Sequence, residues 1–492
     1  MTRSGCCFAC IGGFAVFLSA SLNAQTVAVY QTTPDLLEGL SSRQKLHFGR
    51  AAPAATIPVI TVDDGQRFQE IDGFGASLTD SAAWLFAKKL APAQSDSAFK
   101  MLFSRKDGIG LSILRQPAGS SDLAVTFYSF DDLCEQSTTA CTTPPGMDDP
   151  KLEHFSLAHD QEYILPQLKR AVALNPSLRV MLTPWSPPGW MKTTGSMLGT
   201  KAETKEAAAL RPEYYAAFAQ YLVKTIQGYQ AAGVPIWALS VQNEPLFATP
   251  TYSGMQMLAA EQAKFFGDAL GPALAEAHLS PKVMAYDHNW DRPDYPEMVL
   301  MDPKSGVLAA GTAWHHYGGG PEVMSKFHEK FPQKDQWVTE SSGGTWQKGY
   351  EGKGNILAEE AAELIDVTRN WSRSYVLWAL ATDQHHGPFV GGCDTCRGLL
   401  TIDTERSTFK PELDYYVLGH ASKFLAPGAV RIGSDEPGSG VKDVAFRNPN
   451  GGIVLYTLNA GTTSREIGIA YRGRTLTITL PPGSVTTFAW KR

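Results

Sequence analysis

The chain has 492 residues, enough for an α/β barrel of about 250 residues and a second, smaller domain. With 43% hydrophobic and 19% charged residues, its composition is that of a globular protein and excludes a disordered or fibrous one. Its 43 basic and 49 acidic residues give a net charge of -6, which offers no basic footprint for nucleic acid or an anionic membrane.

At the N-terminus, Arg3, an apolar run from Phe8 to Leu18 and small residues up to Ala24-Gln25 have the layout of a secretory signal over residues 1–24. The run is shorter than the roughly 20 apolar residues of a spanning helix, and no later segment reaches that length. No stable membrane insertion is therefore expected, and the mature chain is expected to be secreted or periplasmic. Cys6, Cys7 and Cys10 would leave with the signal, and Cys134, Cys141, Cys393 and Cys396 would remain. Of the three connectivities four cysteines allow, the local pairs Cys134–Cys141 and Cys393–Cys396 are expected in an oxidising compartment.

Strand-like Val27–Tyr30 and Ile57–Val62 come next, within a segment 25–65 read as the first part of a β-sandwich. Apolar, β-branched stretches then alternate with helical ones over residues 66–425. The strands are expected at Glu70–Gly75, Gly110–Arg115, Arg179–Pro184, Ile236–Gln242, Lys282–Tyr286, Gly311–His315, Gln336–Thr339 and Tyr375–Leu380. Eight such units predict a closed (β/α)8 barrel. Tyr214 to Leu222 has the helical i, i+3, i+4 spacing, with Pro212 in the first turn. A second helix over Ile356–Val367 is expected to turn Glu359, Glu360 and Glu363 to solvent. Residues 426–492, with alternating Gly452–Leu458 and Thr475–Leu480, predict the rest of an antiparallel sandwich built from both chain ends.

Glu244 and Glu340 each close one of these strands, the fourth and the seventh. In parallel barrels this rim carries the functional groups, and two facing carboxylates suit acid/base and nucleophile work on a glycosidic bond. Pro245 ends the fourth strand and is expected to hold Glu244 extended. Asn243 offers an amide beside it. Arg115 ends the second strand and could hold Glu340 ionised. Asp122 lies in the following loop, Trp185 just past the third strand, His315-His316-Tyr317 at the sixth and Trp378 within the eighth. The pairs His315-His316 and His385-His386 cannot chelate as strand neighbours, since adjacent side chains point to opposite faces, and no H-E-x-x-H motif is present. No metal and no cofactor are expected. A G-x-S-x-G elbow is absent as well.

The chain resembles glycoside hydrolase family 30 over nearly its whole mature length. The resemblance is carried by Ile71-Asp-Gly-Phe-Gly-Ala-Ser-Leu-Thr-Asp80, Leu114-Arg115, Thr183-Pro-Trp-Ser-Pro-Pro-Gly-Trp-Met-Lys192, Val241-Gln-Asn-Glu-Pro245, Trp314-His-His-Tyr317 and Thr339-Glu-Ser-Ser-Gly343. It implies a barrel with an attached sandwich acting with retention, Glu244 as acid/base and Glu340 as nucleophile. It further implies that Asn243 contacts the hydroxyl beside the anomeric carbon, that Asp122, Trp185 and Trp378 line the sugar pocket, and that Tyr317 lies against the nucleophile. Ser341-Ser342 and Trp378-Ala-Leu380 depart from residues common in the family. The expected activity is that of a glucosylceramidase-like enzyme or β-glucosidase on a β-linked carbohydrate or glycoconjugate. The alternatives are an endo-β-1,6-glucanase or β-xylosidase and, from another class, a non-catalytic carbohydrate-binding protein.

Overall fold

The computed structural model describes residues 25–200, 207–348, 355–438 and 440–492, together with Met1, Thr2 and Gly5. The expected signal segment thus lies almost wholly outside the described residues. Eight parallel strands close a barrel: β1 (Gly73–Ser77), β2 (Ile113–Pro117), β3 (Arg179–Thr183), β4 (Ile236–Ser240), β5 (Lys282–Asn289), β6 (Ala309–His315), β7 (Asp335–Ser341) and β8 (Ser374–Leu377). Ser374 to Leu377 pair with Gly73 to Ala76 and complete the ring.

Met181, Ala238, Met284, Ala313 and Trp337 fill the barrel's interior. At its N-terminal end Trp337 Nε1 donates to Asp72 at 2.7 Å, and Asp72 also pairs with Arg179 and Arg373. That end is plugged, so the opposite rim is left for a site. The helices cover the ring through apolar stripes. In Tyr215–Ala231 the residues Phe218, Tyr221, Leu222, Ile226 and Tyr229 are buried, and each such side chain contributes roughly 1.5–3 kcal/mol. Pro212 starts a short 3-10 turn (Pro212–Tyr214) that feeds this helix and is not in its first α turn.

The sandwich does draw on both ends of the chain. Thr26–Thr32 pairs antiparallel with Val485–Trp490, and Val59–Ile71 lies between Ala429–Ser434 and Arg465–Tyr471. The first barrel strand therefore starts later than expected: Glu70 and Ile71 belong to the sandwich strand, and Gly73, at a φ of 152°, makes the break. Two disulfides, Cys134–Cys141 and Cys393–Cys396, join the local pairs expected.

Helix Ile356–Arg369 leaves Glu359 exposed, as expected, and corrects the sequence reading of Glu360 and Glu363. Glu360 is buried, accepts from Gln347 and Tyr375, and lies 3.8 Å from Arg397, while Glu363 accepts from Ser341 and contacts His316. These carboxylates face the barrel because polar partners from four other segments await them there.

Candidate active site

Backbone bonds fix Glu244 at the rim before any side chain does. Asn243 N donates to Pro184 O at 2.9 Å and Glu244 N to Asp287 O at 3.0 Å, which ties the segment after β4 to the loop after β3 and to β5. These bonds hold Glu244 at a φ of 46°, not in the extended conformation that Pro245 alone would favour. A non-glycine residue at positive φ is strained, and such strain persists where surrounding structure imposes it. Glu340 is the penultimate residue of β7, in register with His315 of β6.

Arg115, fully buried beneath the rim, forks between partners: Nη1 reaches Glu340 Oε2 at 2.5 Å, and Nη2 donates to Asn243 Oδ1 at 2.6 Å and Asp287 Oδ2 at 2.9 Å. Because Asn243's oxygen is committed, its NH2 edge is the one left for a ligand. Tyr317 donates its hydroxyl to Glu340 Oε1 at 2.8 Å. His315 lies between the carboxylates, with Nδ1 3.0 Å from Glu244 Oε1 and Nε2 3.1 Å from Asp287 Oδ1. With a carboxylate at each nitrogen, the ring is placed to donate from both, as an imidazolium.

The electrostatics agree with that geometry. Burial disfavours the charge on His315, but the Glu340 charge and the bonds to Asp287 and Glu244 outweigh it and push the pKa up to about 9. Burial likewise opposes ionisation of Glu244, yet the His315 bond and the charges of His288, His315 and Arg115 bring its pKa below the ordinary value. Asp287 is buried too, and Arg115, His315 and Thr339 hold it far below the usual carboxylate range. Asp122 goes the other way: burial first, then the Glu340 and Glu244 charges, push it up to about 7.

A cavity of about 290 Å³ opens above these groups. Of the residues singled out from sequence, Glu244, Glu340, Asp122, Tyr317 and Trp378 line it. Arg115, His315 and Trp185 are buried behind it. Trp185 packs 4.9 Å from Trp378, centroid to centroid, and Arg115 stacks on Trp185 at 4.8 Å. Trp378 lies at the break between β8 and the strand Ala379–Asp383, not within a continuous strand.

Sequence reasoning missed His288, Asn289, Ser342, Phe247, Tyr252, Trp346 and the Cys393–Cys396 bridge on the cavity wall, and Asp287 beneath it. Asp287 follows the expected fifth strand directly, so the same strand-end rule that found the glutamates would have found it. Glu244, His315 and Glu340 stand within metal-ligand reach of one another. Here the imidazolium and the guanidinium already face the carboxylates, and a protonated His is no ligand.

A plugged parallel barrel with two carboxylates converging in a cavity at its C-terminal rim, joined to a β-sandwich, defines a glycoside hydrolase. Residues 71–425 match the glycosyl hydrolase family 30 TIM-barrel domain and residues 428–488 the family's beta sandwich domain. The chain belongs to glycosyl hydrolase family 30. It is 32% identical over 447 residues to an endo-1,6-beta-D-glucanase of Neurospora crassa, spanning 86% of this chain and 88% of that one. A glucosylceramidase-like protein of Caenorhabditis elegans is 30% identical over 451 residues, 88% of this chain and 83% of the relative. The solved structure of an endo-beta1,6-glucanase superposes with a TM-score of 0.82 at 30% identity, covering 95% of this chain and 99% of that one.

Proposed function

We propose that this hydrolase is a secreted, retaining endo-β-1,6-glucanase in which Glu340 is the nucleophile and Glu244 the acid/base. The observation that carries the mechanism is the short gap between the carboxylates: oxygens of Glu244 and Glu340 lie within 4.8 Å of each other, with His315 between. Retention needs carboxyls about 5–5.5 Å apart, whereas inversion needs 6.5–9.5 Å to admit a water. The substrate reading is supported by the endo-1,6-glucanase relatives and moves the weight from a glucosylceramidase-like enzyme or β-glucosidase to the alternative. Secretion is supported by the two disulfides.

Arg115 and Tyr317 orient Glu340 toward the anomeric carbon. The proton for the leaving oxygen is shared by the His315–Glu244 pair and rests on His315 while Glu340 is charged. When Glu340 bonds to the anomeric carbon its charge is consumed and His315 loses its strongest electrostatic support. The His315 proton then passes to Glu244, which hands it on to the departing oxygen. Glu244 subsequently takes a proton from water, which attacks the glycosyl ester and regenerates Glu340. Asp122, about half protonated near pH 7, is able to donate to a sugar hydroxyl in its neutral form.

Two measurements test this. Linear β-1,6-glucan should yield oligosaccharides faster than glucosylceramide or aryl β-xylosides are cleaved, and turnover confined to glucosylceramide would overturn the substrate reading. Glu340→Gly should lose hydrolysis, and azide should restore turnover of an activated aryl glucoside with the product inverted. A retained product would exchange the two roles.

A further inference from the structure

A second cluster of ligand-type side chains lies in the long loop between β2 and helix Ala158–Glu162. Asp131, Asp149 and His154 each place one carboxylate oxygen or ring nitrogen within 4.8 Å of the others. Two of the three are already explained: Asp149 Oδ2 accepts from the backbone N–H of His154 at 2.8 Å and lies 2.9 Å from His154 Nδ1. Asp131 is not. Its side chain is buried at 1% exposure, and neither carboxylate oxygen has a hydrogen-bond partner. A buried charge with no partner is among the costliest features a fold can carry. Its neighbours are engaged elsewhere. Asp132 accepts from Ser129, Lys224 donates to Leu152 O at 2.7 Å, and Asp131's own backbone is spent on Ser129 and Trp190.

We infer that Asp131, Asp149 and His154 bind a divalent cation of the zinc class, a structural site separate from the proposed reaction centre. Two carboxylates would neutralise the ion, and the mixed oxygen and nitrogen set suits zinc better than calcium, which takes oxygen donors alone. Zinc–ligand bonds of about 2.1 Å put tetrahedral ligands roughly 3.4 Å apart. His154 is exposed, so water can take the fourth position of that shell. The site would brace the loop that supplies Asp122. Asp131 O accepts from Trp190 Nε1 at 3.0 Å, which joins this loop to the one carrying Trp185.

The test uses the full chain, freed of metal with chelator and then titrated with Zn²⁺, with Ca²⁺ as a parallel arm. One zinc per chain should bind, and Tm should rise by about 3 °C at a free concentration near 100 times Kd, reversibly with EDTA. His154→Ala, a change at the surface, should weaken zinc binding at least tenfold and keep the zinc-free Tm. Asp131→Asn should abolish the zinc-dependent rise and be no less stable than wild type without zinc, having lost a buried carboxylate. An unchanged zinc response in either variant, no response in wild type, or a response to Ca²⁺ but not Zn²⁺ would overturn the assignment.

Discussion

His315 contacts a carboxylate at each ring nitrogen and has none free for substrate, so its part is to hold a proton and not to bind sugar. Its pKa of about 9 stands above the ordinary 6.5, so its stabilising contribution is complete below pH 6.5 and lost as pH rises through 9. On the proposed mechanism kcat/KM should fall over the same alkaline range. His315→Gln should lower turnover of natural linkages about 10²- to 10³-fold, and far less that of a dinitrophenyl glycoside, whose leaving group needs no proton. Equal losses on both would reduce His315 to a packing role. Asp122 is raised from 3.8 to about 7, so the folded state retains a proton that the unfolded chain has released. Asp122→Asn should match wild-type stability below pH 3.8 and gain on it up to pH 7, by at most about 4 kcal/mol, while KM rises. Urea midpoints across pH, set beside KM, separate the two effects.

Strand ends were the legible element. Reading where apolar runs stop brought Glu244, Glu340, Arg115 and Tyr317 onto one rim, because β pleating and parallel pairing fix which end of each strand faces the cavity. Asp287 lies within reach of the same rule, one residue past the expected strand end at Tyr286, but its inward turn is not legible in the sequence. In the fold Tyr286 and Asp287 both have φ near 70°, and the register against β6 shifts nearby, so the bulge turns Asp287 to face Arg115 and His315. Glu360 escaped for a different reason. Helical periodicity places charges on the face opposite the apolar stripe, but the partners that make burial tolerable, Gln347, Tyr375 and Arg397, come from other segments. Burial, Asp414 and Glu363 push Glu360 up from 4.5 to about 8, so it is protonated at neutral pH and its stabilising contribution fades as pH rises from 4.5 through 8. Glu360→Gln imitates the protonated form. Denaturant midpoints should coincide with wild type below pH 4.5 and move in favour of the variant up to pH 8, and a constant difference across that range would contradict the assignment.

At the scale of the whole molecule, barrel and sandwich meet on the helix Leu413–Ser422, and His420 is the joint. Ser422 Oγ on this helix donates to Ile109 O just before β2, while His420 bridges two sandwich strands: Nε2 lies 2.8 Å from Thr32 Oγ1 and Nδ1 2.9 Å from Thr487 Oγ1. Thr487 spends its hydroxyl proton on His420 O, so Nδ1 donates to Thr487. Thr32 Oγ1 can donate to Nε2 of a neutral ring or accept from a protonated one. Burial selects the neutral ring, lowering the pKa from 6.5 to about 3. A depressed histidine stabilises above pH 6.5 and loses that contribution as pH falls toward 3, by at most about 5 kcal/mol. His420→Gln should cost about 1–3 kcal/mol at pH 7, because one of the two threonine bonds is lost in a buried site. The variant has no ring to protonate, so its stability should decline less steeply in acid. The two stability profiles are then expected to cross between roughly pH 4.5 and 6, where the wild type's loss equals the variant's initial deficit. Urea unfolding at half-unit pH intervals would reveal the crossing, and parallel profiles would show that the acid sensitivity of the joint lies in another group.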